Sequence, residues 1–211
     1  YDADYHEFSV NLYDLASEIK YYYVAVVTND YGTSRSDTLE FLTYGTMTDS
    51  SDYSHYYTIK IGNQIWMAQN LKSAGQGVSL GSTTSETEPY YYYVNGDESN
   101  TDEYGYLYNW AAAMNGASSS TDNPSGVQGI CPNGWHLPSD AEWTQLTDYL
   151  GGTENTGAIL SGQPAGEDQY WQTGTLTESG DFGKSGFNAL PAGYYDRDYN
   201  VFGSGACFWS A

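Results

Sequence analysis

The sequence predicts an α+β fold: two helices among short antiparallel strands, preceded by an all-β segment. Three observations predict it. Residues 1–43 alternate apolar and polar side chains in short runs. Residues 102–116 and 140–150 place apolar side chains at helical spacing. Elsewhere the chain is rich in Gly, Ser, Asn and Tyr, the composition of turns and short strands. The 211 residues are enough for one large domain, or a domain plus part of a second.

In "HEFSVNLYDL", Phe8, Val10 and Leu12 fall on one face of a strand. "KYYYVAVVTNDYGTSRSDTLEFLT" predicts a strand at 21–28, a turn at Asn29-Asp30-Tyr31-Gly32, and a strand at 36–43. Residues 44–56 are polar and predict a linker. A second domain, 57–211, opens with "YTIKIGNQIWMAQNL", where Ile59, Ile61 and Ile65 fit a hairpin turning at Gly62-Asn63. Residues 72–89 read as loop. Tyr104, Leu107, Tyr108, Ala111 and Met114 recur at helical spacing, with Gly116 just past the end. Ser139 and Glu142 form a capping box, and Pro138 and Trp143 sit at staple positions. Trp143, Leu146, Tyr149 and Leu150 predict that helix's buried face, and Gly151-Gly152 ends it. Trp135 and Leu137 alternate on a strand leading in. Short strands are predicted in "GFNALPAGYY" and "ACFWS".

Acidic residues outnumber basic ones 27 to 6, for a net charge of −21. That balance excludes nucleic acid and anionic membranes as partners, because both need Lys/Arg patches. No apolar run reaches the ~18 residues of a membrane span, so this segment inserts in no membrane. The acidity suits a protein outside the cell and leaves carboxylates for calcium. Tyrosine is the outlier, with 23 copies against 6 Phe. Runs such as Tyr21–Tyr23 and Tyr90–Tyr93 cannot all be core, because alternate strand residues face opposite ways. They read either as β-propensity with half-burial or as rings at an interface.

The stretch "GICPNGWHLPSDAEW" concentrates reactive residue types. His136 lies between Trp135 and Leu137 with no His or Cys at ligand spacing, and reads as structural. His6 and His55 belong to no constellation. Cys131, followed by Pro132, has no local activating base. No catalytic residue is assigned. The carboxylates and amide of "NGDESNTDEYG", Asp97, Glu98, Asn100 and Asp102 (with Glu103 beside them), are hard oxygen ligands suited to calcium, the only cofactor considered. Their spacing is not the EF-hand's, and the alternative is an acidic loop capping the following helix. Cys131 and Cys207 are too few for a disulfide scaffold or a cysteine-built zinc site.

Two resemblances follow from quoted phrases. "YYYVAVVTNDYGTSRSDTLEF" resembles the last two strands of fibronectin type III-like domains, sandwiches of about seven strands. Residues 1–43 would then be a partial N-terminal β-sandwich. Residues 57–211 resemble the Fibrobacter succinogenes major paralogous domain, through "YTIKIGNQIWMAQNL", "YGYLYNWAAAM", "GVQGICPNGWHLPSDAEWTQL", "GFNALPAGYY" and "FWSA", in the family's order. Trp66, Trp110, Trp135, Ser139, Glu142, Trp143 and Trp209 carry that signature. The resemblance implies a C-type-lectin-like fold, because "WHLPSDAEW" also looks like the helix start of formylglycine-generating-enzyme-like domains. It implies a secreted or cell-surface protein of Fibrobacter or a Bacteroidetes-type bacterium, and no established activity. In that context "DTL" matches an O-glycosylation acceptor at Thr38. Gln69 stands where the family usually has Glu. The family's closing "VRCV"-like segment, with its second cysteine, does not follow "FWSA", which leaves Cys131 either without its usual partner or paired with Cys207, the one intrachain option. The copper-binding cysteine pair of formylglycine-generating enzymes and the sugar-binding loops of C-type lectins have no match; "EPY" and "DNP" are partial echoes.

The expected function is a surface binding or adhesion module that meets a glycan or protein through Tyr/Trp-rich loops. A fibre or appendage subunit that self-associates is the alternative, and a degenerate enzyme domain a third.

Overall fold

A computed structural model describes residues 9–162 and 170–211. The chain divides into two units, Tyr1–Gly45 and Thr46–Ala211. Phe8 and His6 lie outside the described residues. In the first unit, Val10 and Leu12 are exposed and belong to no strand, so the alternation of "SVNL" makes no sheet.

The Tyr-rich segment forms one interrupted hairpin. β1 (Lys20–Tyr23) pairs with β4 (Leu39–Leu42), and β2 (Val26–Asn29) with β3 (Gly32–Arg35), all antiparallel. The predicted strand 21–28 is thus broken in two, the predicted strand 36–43 is shortened to β4, and β3 precedes it. At the break the Ser36 N–H donates to the Ala25 carbonyl, and the Ala25 N–H to Ser36 Oγ, both at 2.9 Å. Asn29 Oδ1 accepts the Tyr31 N–H across the predicted turn. Every residue of β2 and β3 is exposed. The described part of this unit is therefore a single interrupted hairpin.

The second unit begins where a linker was expected. β5 (Gly45–Thr48), β6 (His55–Ile61) and β7 (Gln64–Met67) form a sheet in the order β5-β6-β7. Asp49 makes this hairpin possible: it is buried, and its Oδ1 accepts the Ser51 N–H. β6 and β7 turn at Gly62-Asn63 as predicted, with Ile61 opposite Gln64 and Ile59 opposite Trp66. Opposed residues share a face, so Ile59 and Ile61 are buried while Ile65, opposite Lys60, points outward.

The run Tyr90–Tyr93 is β9, the middle strand of β10-β9-β8, with β8 at Ser79–Leu80 and β10 at Tyr106–Tyr108. β10 lies inside the predicted helix 102–116. That stretch is instead a single turn α1 (Thr101–Tyr104), then β10, then α2 (Trp110–Met114). Gly105 makes the break: its φ is +68°, and a Cβ there would meet the Leu71 carbonyl oxygen at 2.7 Å. Asn109 then restarts the helix, its side chain accepting the Ala112 N–H.

α3 (Asp140–Tyr149) carries the predicted capping box in full. Its buried residues are Glu142 and Leu146; Trp143 is half-buried and Tyr149 faces solvent, contrary to the predicted face. The segment leading into α3 is not a strand but a turn and loop, fixed by the Trp135 N–H on the Pro132 carbonyl and the Leu137 N–H on the Val127 carbonyl. α4 (Thr153–Leu160) was not predicted, since Thr, Asn and Gly are poor helix formers. Two helices were expected; four α segments are described. β11 (Tyr194–Asp196) and β12 (Asp198–Asn200) close the chain as a small hairpin. Around "ACFWS" only a bridge from Ala206 to Gly193 forms. One core cluster gathers Val94, Tyr104, Leu190 and Ala192, with Tyr104 edge-on to Tyr170 and Phe202 at 5.5 and 5.4 Å.

Candidate functional site: an aromatic cleft

The second unit contains a cleft of about 1470 Å³. Small-molecule pockets run to roughly 300–1,000 Å³, so this one suits a longer ligand. Its apolar wall assembles from four places in the chain. β7 contributes Trp66, α3 contributes Trp143, and residues 186–190 contribute Phe187; these rings lie 4.8 to 6.1 Å apart. Phe208 joins them at 5.6 Å from Trp143 and 5.7 Å from Phe187. Trp209 is edge-on to Trp110 of α2 at 5.4 Å, and both rings are more than a third exposed. Trp209 Nε1 donates to the Tyr108 carbonyl at 2.8 Å, and the Trp143 indole donates to the Trp209 carbonyl at 3.4 Å. Trp66 Nε1 is buried with no acceptor.

The polar rim ties the hairpin, α3 and the loop before it together. Gln145 of α3 donates to Asn63 at 2.7 Å and accepts from Asn123 at 2.8 Å. Gln64 donates to the Glu142 carbonyl.

Glu142 anchors the site's one histidine. Glu142 Oε2 accepts the Ser139 and Ser125 N–H groups, each at 3.0 Å, and Oε1 lies 2.8 Å from His136 Nε2. Burial pushes the Glu142 carboxyl up. The His136 hydrogen bond, the Ser139 and Ser125 N–H groups and the His136 charge outweigh it, and hold the group below its ordinary 4.5. An ionised carboxylate only accepts, so Nε2 carries the hydrogen. His136 is therefore hydrogen-bonded to structure while lining the cleft. Cys131 also lines it, but burial pushes its thiol up to about 12, so no thiolate is available for nucleophilic attack.

The other sequence-derived sites find local partners. Asp97 accepts the Ser99 N–H and hydroxyl, and Glu98 hydrogen-bonds Tyr93. Asn100 donates to the Val94 carbonyl, and Asp102 pairs with Lys72 at 3.0 Å. Asp97 thus caps the turn Glu98–Asn100, and no group of three or more His, Cys, Asp or Glu able to hold a metal is found among the described residues. Cys131 and Cys207 are free thiols, so the expected bridge is not formed: Cys131 is tied into the turn after Gln128, while Cys207 lies on the exposed final segment. Thr38 is exposed between β3 and β4. Gln69 accepts the Tyr57 N–H at 2.8 Å, a role a carboxylate could also fill. Trp135 is half-buried on the cleft wall.

Sequence reasoning named all five of the cleft's tryptophans, Trp66, Trp110, Trp135, Trp143 and Trp209, as fold signature but not as one surface. Phe187 and Phe208 were missed as site residues. The signal was there in the aromatic density of "FWSA", but not the contact with α3.

A family model described as the Fibrobacter succinogenes major domain matches residues 59–211. No curated protein and no solved structure matches the chain.

Proposed function

The chain belongs to the Fibrobacter succinogenes major domain family, and from that premise we propose that it is an extracellular or cell-surface binding module whose aromatic cleft receives the ligand. The observation that carries the reading is the cleft itself: an apolar wall of Trp66, Trp143, Phe187 and Phe208, exposed Trp110 and Trp209, and a hydrogen-bonding rim. The high Cys131 thiol and the structural tether of His136 favour binding over catalysis. The finer fold is a C-type-lectin-like arrangement, supported by the capped helix α3 facing the β6–β7 hairpin through Gln64 and Gln145. A fibre subunit is the second reading, favoured by the exposed strands β2 and β3. Size at low concentration separates the two, since a binding module stays monomeric.

The test is an immobilised full chain probed with neutral oligosaccharides and with extended peptides, with and without calcium. Binding to one class, reduced at least about tenfold by Trp110→Ala with Trp209→Ala, supports the reading. Binding indifferent to those substitutions, or none to either class, overturns it.

A further inference from the structure

A second cavity in the same unit has a volume of about 140 Å³, and every residue that lines it lies between 49 and 133. That is room for roughly four or five waters at the ~30 Å³ each fills in the liquid. Its lining comes from the β5–β6 turn, the loop after β7, the end of α2 and the loop at 128–133.

The fold buries a carboxylate in this wall without a cation. Asp49 is 3% exposed. Its Oδ1 accepts the Ser51 N–H at 2.8 Å. Among the described residues, its Oδ2 meets no donor, and no Lys, Arg or His pairs with it. A charge taken out of water is costly unless it is paired or holds a metal. Asp52 adds a second negative charge close by. It accepts the Ser54 N–H and is hydrogen-bonded to the side chain of Ser73, a buried residue of the cavity wall. A cation in the cavity would relieve both carboxylates.

The remaining lining selects the kind of cation. Gln76, Asn115, Gln128 and Asn133 bring amide oxygens, and the serines bring hydroxyls. Gln128 uses its Nε2 on the Cys131 carbonyl and on Asn133 Oδ1, each at 3.2 Å, which leaves its own Oε1 without a donor among the described residues. Asn133 uses its Nδ2 on Ser50 Oγ at 3.1 Å. No His lines the cavity, and Cys131 brings its one sulfur. Oxygen ligands suit a hard cation. Calcium accepts six to eight oxygens in flexible geometry, waters included, whereas magnesium demands a near-ideal octahedron. One lining carboxylate among neutral oxygens also explains why no group of three acidic, His or Cys side chains marks this place.

We propose that this cavity binds a calcium ion through Asp49, with amide and hydroxyl oxygens and water completing the shell. Ile130, Cys131 and Pro132 line both this cavity and the aromatic cleft. A bound ion therefore ties the β5–β6 turn to a loop that walls the cleft. The proposal needs no ligand in the cleft and stands or falls apart from that reading.

The full chain, stripped of divalent ions with a chelator, is titrated with calcium chloride or magnesium chloride and followed by calorimetry and thermal melting. Sodium chloride at about 0.15 M keeps the net charge screened throughout. The expected result is one saturable calcium site with a dissociation constant of about 10⁻⁴–10⁻³ M, the range of sites with few charged ligands. The melting temperature should rise with occupancy, and magnesium should bind at least about tenfold more weakly. Asp49→Asn keeps an acceptor for the Ser51 N–H but removes the charge, and should weaken calcium binding at least about tenfold. Asn133→Asp adds a carboxylate to the cavity and should tighten it severalfold; this variant decides the matter if Asp49→Asn does not fold. Equal effects of the two ions would mean that divalent cations only screen the net charge, and would overturn the proposal. So would the lack of a saturable calcium site, or calcium binding that neither substitution changes.

Discussion

Glu142 joins three jobs in one side chain. It closes the capping box of α3, holds the loop at Ser125, and orients His136 in the cleft. Glu142→Gln replaces an acceptor of three hydrogen bonds with a group that has only one oxygen. It should cost about 1–3 kcal/mol in chemical denaturation. The depressed carboxyl also sets a pH dependence. A group whose folded value lies below its unfolded one stabilises above the unfolded value, and loses that contribution as pH falls through the folded value. For Glu142 the contribution is complete above about pH 4.5 and fades below it. The wild-type protein should lose stability through that acid window, and Glu142→Gln should lose less. Equal acid slopes in the two proteins would contradict the assignment. The capping half of this was legible in the sequence, because Ser139 and Glu142 are three residues apart and interact locally. The bond to Ser125 was not, because it depends on how a distant loop folds back.

At the scale of elements, the tyrosine runs resolve into two roles. In β9, Tyr92 faces the interior, with its ring 4.2 Å from Tyr195 and its hydroxyl donating to the Thr83 carbonyl. Tyr91 lies on the opposite face, its ring 4.4 Å from Tyr106 and half-buried. Tyr92→Ala should therefore cost about 3–5 kcal/mol, and Tyr91→Ala clearly less. Thermal denaturation of both tests the order, and a reversed ranking would mean the faces of β9 are assigned the wrong way round. Gly129 offers a second test. Its φ is +55°, and a Cβ there would collide with the Ala113 carbonyl oxygen. Gly129→Ala should destabilise by more than the usual ~1 kcal/mol of a point substitution. Legibility followed locality here too. The β6–β7 hairpin was readable because Gly62-Asn63 alone sets its turn. The α1–β10–α2 stretch was not, because Tyr104, Leu107 and Tyr108 fit a helical period while Gly105 and the pairing with β9 decide the outcome. Tertiary pairing overrode the pattern. The cleft was least legible, since its rings come from residues 66 to 209.

For the whole molecule, charge and fold pull in opposite directions. Six basic residues face 27 acidic ones, so most carboxylates have no cationic partner. The Lys ion pairs described are surface contacts: Lys20–Glu40, Lys72–Asp102 and Lys184–Asp181. Each is worth about 0–1 kcal/mol, too little to offset a net charge of −21. Self-repulsion should therefore limit stability at neutral pH and low salt. Added monovalent salt screens charges beyond about a Debye length, ~10 Å at 0.1 M, and should raise the melting temperature. Mild acid should do the same by protonating carboxylates and lowering the net charge, until the pH reaches the range where Glu142 loses its contribution, below about 4.5. The expected profile at low salt is a rise in melting temperature from neutral pH into mild acid, then a fall. Salt should flatten the rise, because it screens the repulsion, and leave the fall, because the Glu142 hydrogen bonds are short-ranged and partly buried. Melting curves across pH at low and high salt measure both limbs. A profile that declines steadily from pH 7 downward would show that repulsion among the carboxylates is not what limits this fold.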